Sequence, residues 1–314
     1  MQVFRSLDEA RGRFGPCAVT IGNFDGTHIG HQELFREVAL LANVHRWAPA
    51  VLTFDPHPAR IVAPERAPKR LSAHEARVAV MCDCGIARVL ILPFDAALAA
   101  VAPDAFVREI LVGALGVRAV VVGNNFRFGH KHAGNIHLLA DLGRELGFAT
   151  HIEPAIRFRG VVVSSTEVRN AITSGRMGFA GRLLGRPYAL TGTVVSGHGI
   201  GAKQTVPTLN LAAENEVLPM AGVYITRTRD LDGDRRWNSI TNIGMRPTFG
   251  GDALTIETFL LSPFDGSTPA RIAVEVLRRV RDERKFESPE ALKAQIFRDV
   301  ARANAYHRRV ASLY

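Results

Sequence analysis

Strand-like and helix-like segments alternate through the first half of the chain, and this alternation restricts the possible folds more than any other feature. Short apolar runs, typical of strands, occupy residues 18–21, 50–54, 88–92, 119–122 and 149–152. Helical spacing follows at 34–42, from a Ser-Ala-His-Glu capping box at 72–75, at 103–116 and at 136–146. This order predicts an α/β domain with a doubly wound parallel sheet, in which ligands bind at the carboxyl ends of the strands.

The pattern changes after Ser165. Two short helical segments at 168–173 and 179–184 precede a Gly-Arg-Pro break. Six short alternating stretches follow, bounded by turn residues: 192–195, 208–211, 222–228, 238–243, 255–261 and 272–277. Strands at this spacing favour an antiparallel barrel or a sandwich. A last helix is predicted from 288 to about His307, with Leu292, Ile296 and Val300 on one face. The expected domains are residues 1–185 and 186–314.

Composition and cysteine content narrow the class of protein. The 314 residues are 47% hydrophobic and 22% charged, which is ordinary for a globular chain of about two domains. No apolar run approaches the roughly 20 residues of a membrane span, and no signal peptide is visible. The chain has three cysteines, Cys17, Cys82 and Cys84, which cannot all pair. Cys82 and Cys84 are expected to be small apolar side chains on a buried helix rather than zinc ligands. The odd count favours a reducing compartment, so we expect a cytoplasmic protein.

The net charge of +9 suits anionic partners: nucleic acid, an anionic membrane surface or phosphorylated small molecules. In the charged stretch 281–285, however, acidic and basic residues are interspersed, which is typical of a solvated face. No stripe of basic and aromatic residues is present. The charge therefore permits anionic ligands without identifying one. We expect no nucleic-acid or membrane partner, and a monomer or weak oligomer.

The segment Gly-Asn-Phe-Asp-Gly-Thr-His-Ile-Gly-His at 22–31 connects the first predicted strand to the first predicted helix. Glycines allow a phosphate to approach a helix N-terminus, whose free N–H groups favour anions. His28 and His31 are three residues apart, so they share one helical face and can both donate to phosphate oxygens. The alternatives are a turn with two surface histidines, or a zinc site that would need further ligands. The candidate binding residues in this loop are Gly22, Asn23, Phe24 and Gly30.

The loop resembles the His-x-Gly-His arrangement of nucleotidyltransferases, which transfer a nucleotide by attack on the α-phosphate of ATP. Such catalysis depends on positioning and charge stabilisation. A second anion-binding segment is predicted at Ser165, Thr166 and Arg169, where hydroxyl groups at a helix start precede an arginine on the next turn. Taken alone, that segment reads equally as a helix N-cap with a surface arginine.

Motifs along nearly the whole chain, in order, resemble the prokaryotic bifunctional riboflavin kinase/FAD synthetase family. In the first half they are His-x-Gly-His at 28–31, Thr-Phe-Asp-Pro-His-Pro at 53–58, Gly-Asn-Asn-Phe-Arg-Phe-Gly at 123–129, Ser-Ser-Thr-x-x-Arg at 164–169 and Leu-Gly-Arg-Pro-Tyr at 184–188. In the second half they are Gly-Thr-Val-Val at 192–195, Pro-Thr-Leu-Asn at 207–210, Gly-Val-Tyr at 222–224, Asn-Ile-Gly-Met-Arg-Pro-Thr-Phe-Gly at 242–250, Glu257 and Arg-Asp-Glu-Arg-Lys-Phe at 281–286.

The resemblance implies two reactions. The first domain would condense FMN with ATP to give FAD and pyrophosphate. Here His28 and His31 would contact the ATP phosphates, with Ser165, Thr166 and Arg169 on the opposite rim. Asn125 would help to hold the flavin or the nucleotide, while the neighbouring Phe126 and Phe128 read equally well as core residues.

The second domain would be a six-stranded barrel that transfers the γ-phosphoryl group of ATP to the 5′-hydroxyl of riboflavin. Thr208 and Asn210 would bind Mg²⁺ and nucleotide phosphates, because neutral oxygen donors suit a hard cation. They are two residues apart and would project to the same side of a strand. Glu257 would be the general base that accepts the hydroxyl proton; the alternative for it is a salt-bridged strand carboxylate.

The chain departs from the family pattern at several positions. Asn125 replaces a common aspartate, His132 and Glu167 replace common arginines, and Ala202, beside Lys203, replaces another. The segment 264–269 is also altered. We expect both activities to be retained, with the kinase site or its flavin contacts the more altered. Alternative hypotheses are a nucleotidyltransferase for another acceptor with a barrel that only binds, and a nucleic-acid or flavin-responsive regulator.

Overall fold

The computed structural model describes residues 1–195, 208–248, 251–262 and 266–311, and it divides the chain into two compact units. The first unit is Met1–Ser165 and the second is Thr166–Tyr314. Each unit is built around its own sheet.

A six-stranded parallel sheet forms the centre of the first unit, in the order β1-β4-β3-β2-β5-β8. The ten strands of this unit are β1 Gln2–Phe4, β2 Cys17–Ile21, β3 Ala48–Asp55, β4 Arg88–Pro93, β5 Val117–Gly123, β6 Arg127–Phe128, β7 Gly134–Asn135, β8 Ala149–Glu153, β9 Arg157–Phe158 and β10 Val161–Val162. The predicted parallel sheet is confirmed. Sequence patterns missed β1, a three-residue edge strand in which only Phe4 is buried and which therefore carries little periodic signal.

The helices of the first unit connect these strands. They are α1 Leu7–Ala10, α2 Ile29–His45, α3 Ala59–Val62, α4 His74–Asp83, α5 Ala96–Ala99, α6 Pro103–Ala105 and α7 Ile136–Leu146, with a π-helical segment at Phe106–Ala114. The predicted helix 136–146 matches α7. The predicted capping box at 72–75 is wrong. The N-cap position of α4 is Ala73, whose side chain makes no capping hydrogen bond. The Ser72 hydroxyl accepts the backbone N–H of Gly26 instead of one in the helix.

Both faces of the parallel sheet are buried. Successive residues of β5 alternate between two apolar clusters, since strand side chains alternate in direction. Val120 and Val122 belong to one cluster, and Ala119 and Val121 to the other. All four are at most 1% exposed, as the continuous β-branched run predicts. Of the cysteines, Cys17 is buried, but Cys82 is exposed on α4, so the expectation of burial was wrong there.

The second unit is a closed antiparallel barrel preceded by two helices and followed by a long one. Its elements are α8 Ser165–Thr173, which begins at the last residue of the first unit, α9 Met177–Leu184, β11 Tyr188–Val195, β12 Thr208–Ala213, β13 Gly222–Asp230, β14 Arg236–Thr248, β15 Gly251–Leu260, β16 Arg271–Arg281 and α10 Pro289–Ala311. The strand order is β11-β12-β15-β14-β13-β16. All six predicted strands are present, and closure makes the unit a barrel rather than a sandwich. Within the described part of the chain, every helix is too short or too polar to cross a membrane.

Hydroxyl groups fill part of the barrel interior. Thr226 bonds to Ser239 and to Thr241 at 2.8 Å, and Thr241 bonds to Thr258 at 3.0 Å. All four side chains are fully buried, and each hydroxyl has another hydroxyl as its hydrogen-bond partner. Because residues alternate along a strand, Glu257 lies on the opposite, outer face of β15 from Thr258.

Helix α10 packs on the barrel through a face that is partly polar. Its buried residues are Gln295, Asp299 and Ala303, whereas Leu292 is 41% exposed, so the predicted apolar face is wrong at its first residue. Asp299 explains the difference, since its carboxylate accepts Arg281 Nε and Gln295 Nε2, both at 2.8 Å. This ion pair holds α10 against the end of β16.

Removing the Asp299 carboxylate is expected to destabilise the second unit. Asp299→Ala leaves Arg281 without its buried partner, which costs about 3 kcal/mol or more of unfolding free energy. Denaturant titration followed by Trp237 fluorescence in a Trp47→Phe background measures the barrel alone, because the chain has two tryptophans. The matched control is Glu214→Ala, which breaks an exposed ion pair to Arg271 and should cost under about 1 kcal/mol. Equal losses in both variants would contradict the prediction.

Candidate active sites

The two histidines of the 22–31 loop stack on each other at the start of α2. His28 is the N-cap, and its Nδ1 accepts the backbone N–H of His31 at 3.3 Å. The rings lie 3.5 Å apart between centroids at 19°. Gly30 makes this possible, because a Cβ there would lie 3.3 Å from the His28 ring. The structure therefore brings His28, His31 and Gly30 together at a helix N-terminus, as predicted.

The buried Phe24 ring packs against the side chains that form the loop and the start of α2. The Phe24 backbone has a φ of +50°, a strained value for a side-chain-bearing residue, and the ring is 3% exposed. The ring packs edge-on against His31 at 5.2 Å and Phe35 at 5.0 Å between centroids. A Cβ on Gly22 would lie 3.0 Å from this ring, so glycine there leaves room for it. The Phe24 side chain thus holds His31 in place rather than facing open space.

Electrostatics keep His31 uncharged. Burial lowers its pKa well below the usual 6.5, and the neighbouring His28 and Arg77 lower it further. A neutral imidazole has one N–H donor and one acceptor nitrogen. Among the residues that the structure describes, buried His31 Nδ1 has no hydrogen-bond partner. A buried polar atom without a partner at a helix N-terminus is typical of a ligand site.

Asp25 anchors the middle of the loop. Its carboxylate accepts the backbone N–H groups of Leu71 and Ser72 at 3.0 to 3.3 Å, and its carbonyl accepts the Ser165 hydroxyl at 2.9 Å. The contact joins Ser165, the first residue of the second predicted anion-binding segment, to the His-x-Gly-His loop. Asp25 was not singled out as a site residue, and Ser72 was singled out only as a helix cap, because an anchoring role shows only in the contact.

A basic cleft opens beside the loop, where β3 ends. It is lined by Asp25, Phe54, Asp55, Pro56, His57, Arg60, Pro68, Arg70, His74 and Arg77. Asn23 borders it, with its side-chain amide 3.2 Å from His57 Nε2. The arginines were missed because they lie scattered along the sequence. The usable signal was the parallel sheet, in which residues after β3 meet those after β2 at one edge.

The other predicted residues of the first site occupy separate positions. Asn125 is exposed just after β5, at the same edge of the sheet. Phe126 stacks on Phe128 at 5.5 Å between centroids, and Phe128 is buried in the core, which favours the core reading for that ring. Thr166 and Arg169 lie on α8, in the part that groups with the second unit, and their roles stay predictions. His132 is exposed in a short turn, with a φ of +57°.

In the barrel, three polar residues form a row across neighbouring strands. Asn210 on β12 lies directly opposite Glu257 on β15, and Glu257 lies directly opposite Asn242 on β14. Directly opposed residues share one face and have Cβ atoms about 5 Å apart. We call Asn210, Glu257 and Asn242 the polar row. The structure thus places the predicted residues Asn210 and Glu257 next to each other. It also places Asn242 beside Glu257, a residue that the sequence analysis named only within the motif 242–250.

Thr208 lies beside the polar row, opposite Phe259. Phe259 packs against the apolar cluster that contains Ala303 of α10, so this part of the outer face is covered. Thr208 Oγ1 is buried and has no hydrogen-bond partner among the residues described. An unpartnered neutral oxygen beside Asn210 fits a hard cation or a phosphate. In the described ranges, no three His, Cys, Asp or Glu side chains cluster to hold a metal, so magnesium would depend on neutral oxygens and substrate phosphates.

Ala202, Lys203, Phe264 and Asp265 lie outside the described residues, and so does the end of the motif 242–250, residues 249 and 250. The predicted consequence of the Ala202 and Lys203 departure therefore stays a prediction.

Comparison with known proteins gives the same two parts in the same order. A family model described as FAD synthetase matches residues 11–167, and one described as riboflavin kinase matches residues 184–307. A curated bifunctional riboflavin kinase/FMN adenylyltransferase of Pseudomonas fluorescens is 37% identical, covering 97% of each chain. The protein of the same name from Escherichia coli strain K12 is 34% identical, covering 92% of each chain.

A solved structure of similar fold covers nearly the whole chain. It has a TM-score of 0.85 and 25% identity, covering 95% of this chain and 96% of its own, and is named as a macrolide-efflux protein from Streptococcus pneumoniae. The predicted domain boundary at 185 stays a prediction, since packing divides the chain after Ser165 while the family matches end at 167 and resume at 184.

Proposed function

The chain belongs to the bifunctional riboflavin kinase/FMN adenylyltransferase family, and we propose that the 22–31 loop and the polar row carry its two activities. It phosphorylates riboflavin to FMN and adenylylates FMN to FAD with release of pyrophosphate, using ATP in both steps. FMN is the product of one reaction and the substrate of the other. The odd number of cysteines fits work in the reducing cytoplasm.

For adenylyl transfer, His28 and His31 bind the ATP phosphates at the N-terminus of α2. The observation that supports this most directly is the unpartnered Nδ1 of His31 on a neutral ring. As charge accumulates on the α-phosphate, N–H donors fixed in advance stabilise it without reorganising. The stack on His28, the support from Phe24 and the space left by Gly22 and Gly30 supply that fixed geometry.

The basic cleft receives the flavin phosphate, which must attack the α-phosphate. FMN is anionic, and Arg60 and Arg70 line the cleft next to the ATP-binding loop. Guanidinium groups suit phosphates because they can bind them through two hydrogen bonds. Asn125 holds the flavin or the nucleotide, and Ser165 binds the far side of the triphosphate. The Asp25–Ser165 contact supports that last assignment.

For riboflavin phosphorylation, Glu257 accepts the proton of the 5′-hydroxyl as it attacks the γ-phosphate. Its place between Asn210 and Asn242 supports this role, since an amide on either side can orient the carboxylate or the phosphate. Thr208 and Asn210 hold Mg²⁺, and the unpartnered Thr208 oxygen supports the fit. When bound, the ion neutralises phosphate charge.

Incubating the pure protein with riboflavin, ATP and Mg²⁺ tests the whole assignment. Chromatography should show FMN first and then FAD, and EDTA should stop FMN formation. Thr208→Val, which keeps the shape but loses the oxygen, should raise the Mg²⁺ concentration needed for half-maximal kinase rate about tenfold. Thr193→Val, an exposed threonine of the same barrel, is the matched control. A wild type that makes no flavin nucleotide would contradict the function, and an unchanged Mg²⁺ dependence would contradict the metal site.

A further inference from the structure

Arg77 is a buried arginine that joins the ATP-binding loop to the basic cleft. It lies on α4 and is 5% exposed. One terminal nitrogen donates to the Asn23 carbonyl at 2.6 Å, and the other contacts His74 Nδ1. Both ends of the guanidinium therefore bind the protein itself. Arg77 is also buried, whereas Arg60 and Arg70 are exposed at the rim of the cleft.

On the loop side, Arg77 fixes the backbone just before the strained residues. The Asn23 carbonyl accepts two donors, Arg77 and the hydroxyl of Thr53 at 3.3 Å. Phe24 and Thr27, which follow, both have positive φ values, +50° and +41°. Such backbone conformations persist only where surrounding contacts enforce them. Arg77 is the charged member of those contacts, and it acts at the residue where the strained turn begins.

On the cleft side, Arg77 fixes a second pair. His74 Nε2 donates to Asp55 Oδ1 at 2.8 Å while its Nδ1 faces Arg77, so the imidazole is held in one tautomer. Burial and the Arg77 charge lower the pKa of His74 below its usual value, which keeps the ring neutral in this role. Asp55 ends β3 and lines the cleft. One side chain thus links both sides of the site.

We propose that Arg77 is a positioning residue for adenylyl transfer. It fixes the 22–31 loop relative to the cleft, so that the α-phosphate of ATP lies next to the attacking flavin phosphate. The inference rests on the proposed function of that loop. Misplacing reactants by about 1 Å lowers a rate about 100-fold even when both still bind. Loss of Arg77 should therefore act on kcat more than on KM, because the groups proposed to bind FMN remain.

The test replaces Arg77 by alanine and measures both activities of the purified chain. We expect kcat for FAD formation from supplied FMN to fall about 100-fold, with little change in KM for FMN. Riboflavin phosphorylation, which takes place in the other unit, should be unchanged, and the circular dichroism spectrum and melting curve of the variant report whether the first unit is folded. Because Arg77 borders the cleft, added guanidinium ion should enter the vacated space and restore part of the adenylylation rate.

Arg88→Ala is the matched control. Arg88 makes the same kind of contact, from Nη1 to the Phe14 carbonyl at 2.7 Å, but at the start of β4 and so at the opposite edge of the sheet. The Arg88→Ala variant should form FAD at the wild-type rate, and added guanidinium ion should not raise that rate. If Arg77→Ala does not fold, Arg77→Lys, which keeps the charge but lacks the planar fork, should show the same loss in kcat.

Normal kcat in the Arg77 variant, or a loss confined to KM, would overturn the inference. So would a loss that guanidinium does not relieve and that Arg88→Ala shares. His31→Ala, assayed in parallel, separates this inference from the proposed function. If His31→Ala forms FAD at the full rate, the proposed role of the loop is contradicted. If His31→Ala loses FAD formation while Arg77→Ala keeps it, only the inference about Arg77 is contradicted.

Discussion

Replacing His31 by alanine is expected to lower FAD formation from FMN and ATP about 100- to 1,000-fold, while riboflavin phosphorylation is unchanged. The imidazole is proposed to supply a fixed donor to the ATP phosphates, and alanine has none. Its stack on His28 and its contact with Phe24 are lost as well, so the donor geometry of His28 also loosens. Steady-state assays of the two half-reactions, each started from its own flavin substrate, measure the effect.

The matched control is His45→Ala. His45 lies at the other end of the same helix, where it stacks on Trp47 at 4.4 Å between centroids. It should leave both reactions at the wild-type rate. If His31→Ala abolishes riboflavin phosphorylation too, in a chain that still folds, the assignment of the loop to one reaction fails.

Replacing Glu257 by glutamine is expected to have the reverse effect, lowering FMN formation about 100- to 10,000-fold and leaving FAD formation from supplied FMN intact. Glutamine keeps the size of the side chain but cannot accept the hydroxyl proton. The expected loss is therefore in kcat. Binding of riboflavin, followed by quenching of its fluorescence, should be retained.

Glu214→Gln serves as the control for Glu257→Gln. Glu214 follows β12 of the same barrel and pairs with Arg271 at 3.0 Å on the surface. Its replacement by glutamine should therefore leave both reaction rates unchanged. Substantial riboflavin phosphorylation by Glu257→Gln would show that the carboxylate is a structural charge of the strand. The two variants, His31→Ala and Glu257→Gln, mixed in one tube, should together convert riboflavin to FAD.

Hydrophobic periodicity is a local property, and it was sufficient to predict most of the architecture. The spacing of apolar residues predicted five of the six strands of the parallel sheet and all six strands of the barrel. It failed for β1, which is three residues long, and for the inner face of α10, where Asp299 is buried because Arg281 reaches it. A buried carboxylate with its partner on another element leaves no mark in the periodicity of its own helix.

The sequence by itself determined the two-part organisation, the His-x-Gly-His turn at a strand-to-helix junction and the chemical types of Thr208, Asn210 and Glu257. Only the tertiary structure decided which of these residues meet. Strand order in the closed barrel places Glu257 between Asn210 and Asn242, and the parallel sheet brings Arg77 to the carbonyl of Asn23. Residue type and spacing follow from the chain alone, whereas contacts between distant segments and the burial of charge depend on how the elements pack.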